Sequence, residues 1–298
     1  MQLGARLISA IGFLSLATCA FAQQSVTAAG YPDRPVRVIV PVAAGGGTDI
    51  IARIVLSKLS ENLGTALVVD NRAGAGGILG NEIVAHSQPD GYTLLFTYAA
   101  HTIVPFIYRK VPYDVYKDFA PVTIAGSQPL LLAVNAAVSA NTVQELIALA
   151  KAKPNALNVA LATPSSSGAL AAELFKILTN TQMVSVPFKG GKVRILGTSG
   201  KERVAYLPEV PTLAEAGIKD FNTAPWQGLL APARTPPAII DRLYRQVLEV
   251  LKTPYTHDRF TAAGTDVVGS SPKEFGELIS RELAQNSKVI KAVGMRAD

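Results

Sequence analysis

The sequence predicts an α/β fold in two lobes, each a mostly parallel sheet flanked by helices. Three observations predict it. Strand-like and helix-like segments alternate along the first third of the chain, which implies βαβ units. The alternation restarts after a stretch rich in proline and tyrosine. The length, 298 residues of which 49% are apolar, suits two cores at about 100–150 residues per domain.

The first strand is expected at Val36–Val40, a β-branched run that ends in a glycine turn, and a helix at Thr48–Asn62 follows. A strand at Ala66–Asp70, a helix at Ile78–Ser87 and a strand at Tyr92–Thr97 complete the first unit, the last launched by the turn Asp90-Gly91. Pro105 to Pro121 reads as a loop. Beyond it come strands at Leu130–Val134 and Leu157–Leu161 and helices at Thr142–Lys153 and Gly168–Asn180. Thr142 with Glu145, and Thr212 with Glu215, match capping boxes and are expected to start helices.

After a strand at Val184–Pro187, the stretch Phe188 to Lys192 leads straight into another strand, Val193–Gly197. Parallel neighbours in one sheet need a crossover of a dozen or more residues, so this junction breaks the βαβ rhythm. A strand at Trp226–Ala231, a proline-opened helix at Pro237–Lys252 and a last helix at Pro272–Val293 follow. Because termini tend to lie together, these are expected to rejoin the first lobe, giving lobe 1 as 23–124 with 226–298 and lobe 2 as 125–225.

Residues 1–22 have the form of a secretory signal: Arg6, an apolar run from Leu7 to Leu16, and Ala20-Phe21-Ala22 before Gln23. Leu16-Ala17-Thr18 before Cys19 is a poorer match to a lipid-attachment site. Cleavage would remove Arg6 and Cys19, lowering the formal net charge from +6 to +5 and leaving no cysteine for disulfides, thiolate chemistry or metal ligation. His86, His101 and His257 lie far apart without metal spacing, and no metal is expected. The basic residues form no run, which argues against nucleic acid and suits a small acidic ligand.

Two glycine-rich turns join strand to helix, at Gly45-Gly46-Gly47 and at Gly74 to Gly77. Bare amides at a helix start, with the positive end of its dipole, make an anion site. Gly47 is followed by Thr48-Asp49 and not by the Lys-Ser/Thr of a P-loop, while Leu79 stands where a dinucleotide fingerprint needs its third glycine. No nucleotide cofactor is expected. Such turns favour glycine with or without a ligand, so each taken alone is undecided. A third candidate opens the helix at Gly168, where Ser165, Ser166 and Ser167 offer hydroxyls, although one of them could simply cap it. Tyr98, His101 and Trp226 are candidate wall residues that would serve equally well in packing. A serine hydrolase is the rival reading, with Ser166 or Ser167 as nucleophile and His101 or His257 as base; it lacks the Gly-x-Ser-x-Gly elbow.

Seven ordered motifs span nearly the whole expected mature chain: Val40-Pro41 to Arg53 with Gly-Gly-x-Thr-Asp, Asn71 to Gly77, Asp90 to Leu94, Asp118 to Val122, Val186 to Gly190, Leu207 to Gly217 and Trp226 to Leu229. In these the chain resembles the periplasmic solute-binding receptors of tripartite tricarboxylate transporters, the Bug family. The resemblance implies a monomeric Venus-flytrap receptor in the periplasm that closes on a small carboxylate, without turnover, and presents it to membrane transport subunits. A carboxylate-sensing subunit of a signalling system is a variant of the same reading. The ligand carboxylate would be held by Gly45, Gly46 and Thr48 in lobe 1 and by Ser165, Ser166 and Gly168 in lobe 2, with Asp49 orienting the loop and capping the helix without touching the anion.

The chain departs from the family pattern at Ala169, where a histidine is usual, and at Val104, where an asparagine is usual. A larger departure is an internal deletion of about thirty residues at Gly190-Gly191, a helix and a strand that the family places in lobe 2. This truncates the second lobe and implies either that the remaining strands close up or that the receptor is impaired.

Overall fold

The computed structural model describes residues 30–161, 166–187, 193–204, 206–219, 221, 223 and 225–297. The expected signal at 1–22, Ser165 and the junction Phe188 to Lys192 lie outside the described residues.

Lobe 1 opens with β1 (Val36–Val40), α1 (Gly47–Leu63), β2 (Leu67–Asn71), α2 (Ile78–Ala85), β3 (Thr93–Tyr98), the short α3 (Val104–Ile107) and β4 (Phe119–Ser127). Lobe 2 holds β5 (Leu131–Asn135), α4 (Val143–Ala152), β6 (Asn158–Leu161), α5 (Ser167–Thr179), β7 (Val184–Pro187) and β8 (Val193–Thr198). The chain then returns to lobe 1 through β9 (Trp226–Pro232), α6 (Pro237–Leu251), α7 (Pro254–Ala262), β10 (Asp266–Val267) and α8 (Pro272–Val293).

The lobe 1 sheet runs β10-β4-β9-β3-β1-β2. β1 pairs in parallel with β2 and β3, and the returning β9 inserts antiparallel between β3 and β4. Both faces are covered, and the strands divide their side chains between two cores with period two. Val36, Val38, Val40, Leu94 and Phe96 meet α1 and α6 through Ile51, Val55, Leu59, Ile239 and Leu243. Ile39 and Leu95 point the other way, toward Ile78 and Val84 of α2 and Phe275 and Ile279 of α8.

A close approach fixes Gly228 in β9. A Cβ there would lie 2.8 Å from Phe275 Cζ and 2.9 Å from the Thr123 carbonyl oxygen, so neither α8 nor the neighbouring strand leaves room. Gly228→Ala is expected to destabilise the protein by about 2–3 kcal/mol, measured by urea unfolding. An unchanged midpoint would show that α8 is free to lift off the sheet.

Three expectations need correction. The stretch from Pro105 to Pro121 contains α3 and the beginning of β4; Pro121 is tolerated in the strand because the register shifts between Pro121 and Thr123. β4 runs on to Ser127 and pairs there with Trp226, so lobe 1 extends past the boundary expected at 124. The reciprocal box does form at Thr212, with Thr212 N–H donating to Glu215 and Glu215 N–H to Thr212 Oγ1 at 2.8 and 3.0 Å, but it closes a turn and not a helix. Gly217, at φ +85°, ends that turn. At Thr142 the expected helix start is present, with its hydroxyl accepting from Glu145 N–H.

In lobe 2 the described strands form two separate ribbons, antiparallel β5-β8 and parallel β6-β7. They have not closed into one sheet. Leu146, Phe175, Leu196, Leu213 and Phe221 form the lobe's core.

Candidate functional site

α1 is a helix of 17 residues whose N-cap is Gly46 and which has no side-chain cap: Asp49, expected to cap it, lies inside the first turn. The first backbone bond into it is Ile50 N–H to Gly46 O, at 3.0 Å. The amides of Gly47, Thr48 and Asp49 therefore precede the helical ladder and carry the positive end of its dipole. Gly45 and Gly47 are exposed. By contrast, α4, α5, α7 and α8 each begin with a hydroxyl cap, from Thr142, Ser166, Thr253 and Ser271.

Asp49 shapes this turn. Its carboxylate is buried and accepts from Gly45 N–H at 2.8 Å, Arg53 Nε at 2.9 Å and Asn71 Nδ2 at 2.8 Å. Burial pushes its pKa up, but the bonds from Arg53, Gly45 and Asn71 together outweigh burial and hold it below the usual carboxylate range. The charge is spent inside the protein, with Arg53 as counter-ion, while Gly45 is held at φ +80°. The hydroxyl-bearing Thr48 is buried beside it.

The second glycine turn is built for packing. Gly77 N–H is already bonded to Gly74 O at 2.9 Å, and a Cβ on Gly77 would lie 3.3 Å from Pro41 Cβ. Its glycines let α2 sit against the end of β1.

In lobe 2, Ser166 caps α5: its Oγ accepts from Ala169 N–H at 3.1 Å. Ser167 and Gly168 occupy the first helical turn, where amides have no helical partner. Leu170, on the next turn, packs with Ile103, Ile107 and Ile290, seating the start of α5 against α3 and α8 of lobe 1.

The chain crosses between lobes beside α1. Gln128, just past β4, donates from its backbone N–H to Pro225 O at 2.8 Å and from Nε2 to Ala263 O at 3.1 Å, and its Oε1 accepts from Gln227 at 2.8 Å. A Cβ on Gly47 would lie 3.8 Å from that same Oε1. Ser199, after β8, accepts from Leu130 N–H at 2.8 Å and donates to Thr223 O. Neither Gln128 nor Ser199 belongs to a motif that singles it out in the sequence.

The candidate wall residues fare differently. His101 is 1% exposed, its ring stacked with Tyr113 and edge-on to Phe119 at 4.8 Å, and neither ring nitrogen has a hydrogen-bond partner among the described residues. Burial drives its pKa down to about 3, so it is a neutral core residue and not a wall. Trp226 is likewise buried, against Phe275, with Nε1 donating to Glu282 at 3.0 Å. Tyr98 is half-buried against the same core, and its hydroxyl pKa is raised by burial and by Tyr108. The hydrolase constellation is not assembled. His101 is sealed in lobe 1, and His257 is exposed on α7, which packs on α1 and α6 of that same lobe.

A cavity of about 800 Å3 lies within lobe 2. It is bordered by Leu130 to Asn135, by Leu157 to Ala160 and by Ala171, Ala172 and Phe175 of α5, and reaches Ser166, Gly168 and Ser199. The cavity is partly open to solvent and is not an enclosed void.

The family described as tripartite tricarboxylate transporter family receptor matches residues 51–192 and 190–295. Protein BugT of Bordetella pertussis is 32% identical over 322 aligned positions covering 98% of each chain. A UPF0065 protein from the tcbD-tcbE intergenic region of Pseudomonas sp. is 31% identical over 327 positions, covering all of this chain and 97% of its own. Among solved structures, Rpa4515 of R. palustris with adipate has a TM-score of 0.78 at 30% identity, covering 89% of this chain and 99% of its own. MatC of Rhodopseudomonas palustris with bound malate has a TM-score of 0.75 at 29% identity, covering 87% and 100%.

Proposed function

Because the chain belongs to the family of tripartite tricarboxylate transporter receptors, we propose that it is a periplasmic receptor that captures a small carboxylate and delivers it to the membrane subunits of such a transporter. One observation carries the reading: the uncapped start of α1, whose first-turn amides are left to a ligand while Asp49 is fully engaged by the loop behind it. Amides of fixed direction bind an anion without a cationic side chain in contact, so the ligand can leave again when the lobes open. Ser166 and Gly168, at the start of α5, supply the lobe 2 half.

The adipate and malate in the related structures make dicarboxylates the first ligands to try. Binding without turnover is the reading that the match to transport receptors supports. The protein acts as a monomer, and the absent lobe 2 segment weakens the grip of that lobe relative to longer family members.

Isothermal titration with adipate, malate and the neutral diamide of adipate tests this. A one-to-one isotherm is expected for at least one dicarboxylate and none for the diamide. Absence of heat with every dicarboxylate, or equal binding of the diamide, would contradict the carboxylate reading. An activated ester should give no burst.

A further inference from the structure

The two lobes repeat one plan, and the repeat shows what lobe 2 lacks. In lobe 1, β1 leads through α1 to its parallel neighbour β2, β9 enters from the other lobe, and β4 leaves for it. In lobe 2, β6 leads through α5 to its parallel neighbour β7, β5 enters from the other lobe, and β8 leaves for it. β9 pairs antiparallel with β4, and β5 pairs antiparallel with β8. Lobe 1 then joins its two halves with β3, parallel to β1 and antiparallel to β9. Nothing among the described residues joins β6 to β5.

The cavity lies where that joining strand would run. Consecutive residues of β5 and β6 border it, Leu131 to Asn135 and Asn158 to Ala160. A strand shows only alternate residues on a face, so consecutive lining residues mean that both strands turn an edge to the cavity. Apolar side chains left open to water on the same lobe, at Leu131, Ile177, Leu178, Val184 and Val193, mark further surface without a cover. The Pseudomonas relative aligns over 327 positions to a chain of 298 residues, so at least 29 of those positions have no counterpart here. The two family matches meet at 190–192, between β7 and β8.

We propose that lobe 2 is a strand acceptor: the slot between β5 and β6 binds one extended apolar segment of another polypeptide, parallel to β6 and antiparallel to β5. An extended peptide meets both requirements of the slot, backbone partners for two edges and apolar side chains for the cavity walls. An aliphatic small molecule would fill the volume and leave the edges unpaired. A second copy offers no spare strand among its described residues, since every lobe 1 strand is already paired in the six-stranded sheet.

The full mature chain is mixed with a synthetic peptide carrying the residues of Bordetella pertussis BugT that lie opposite the 190–192 junction and have no counterpart here. Two readouts are taken, melting temperature and amide hydrogen exchange. The expected result is a rise of about 5 °C at saturation, with new protection at Leu131–Asn135 and Asn158–Leu161, and neither effect from a scrambled peptide or one with proline at alternate strand positions. No peptide binding overturns the proposal. So does the same protection produced by decanoate alone, or by self-association seen in light scattering without peptide. The cavity reaches Ser166 and Gly168, so the dicarboxylate titration is run without peptide; its failure would count against the carboxylate reading, and failure of the peptide to bind would count against the slot.

Discussion

Replacing His101 by leucine is expected to make this protein markedly less sensitive to mild acid. In the folded state the imidazole stays neutral down to about pH 3, because it is buried between Tyr113 and Phe119 without a hydrogen-bond partner among the described residues. In the unfolded chain it takes up a proton near its ordinary pKa of about 6.5. Between those values the unfolded state binds one proton more, so stability falls as pH falls, by about 1.4 kcal/mol per pH unit and about 5 kcal/mol over the window. Above about pH 6.5 the group contributes no slope. Glu282, whose pKa is raised chiefly by burial, acts in the opposite sense, but it is present in both proteins and cancels in the comparison. Urea unfolding of wild type and His101→Leu from pH 7 to pH 4 should show curves that diverge toward acid, with the variant the more stable at pH 4. Parallel curves would mean that the ring is solvated or paired in solution.

Asp49→Ala should cost about 100-fold in dicarboxylate affinity, about 2.7 kcal/mol. The carboxylate accepts three hydrogen bonds that hold Gly45, Arg53 and Asn71 in one arrangement, and the first-turn amides of α1 take their direction from that loop. Its removal leaves three donors without their acceptor and sets the glycines free. Loss of a negative charge near an anion would by itself favour binding, but Arg53 already neutralises Asp49 at 2.9 Å, so the geometric loss decides the sign. Asp49→Asn, which keeps part of the bonding, should fall between the two. Titration calorimetry measures the affinities, and melting curves check that each variant remains folded. An alanine variant that binds as tightly as wild type would remove the α1 turn from the site.

Much of the fold was legible because local signals agreed. β1, β7 and α8 occupy the spans expected of them, the first two as short β-rich runs and the last between Ser271-Pro272 and Gly294. β4 was hidden by Pro121, which a bulge accommodates, and α7 by the weak periodicity of Pro254 to Ala262. In the site, the Gly45 to Asp49 turn could be read from glycine followed by a helix pattern. The burial of His101 could not, since nothing adjacent in sequence announces Tyr113 and Phe119. Gln128 and Ser199 matter only because two crossing segments meet, a long-range fact that spacing does not encode. The over-short junction at Phe188 to Lys192 was legible as a broken rhythm, and its consequence is the pair of unjoined ribbons in lobe 2.

The most direct measurement is a crystal structure of the protein with adipate. It should show one carboxylate within about 3 Å of the Gly47 and Thr48 amides, with Asp49 still bonded to Gly45 and turned from the ligand. Adipate seated elsewhere, with those amides facing only solvent, would contradict the assignment of the α1 turn as the anion-binding element.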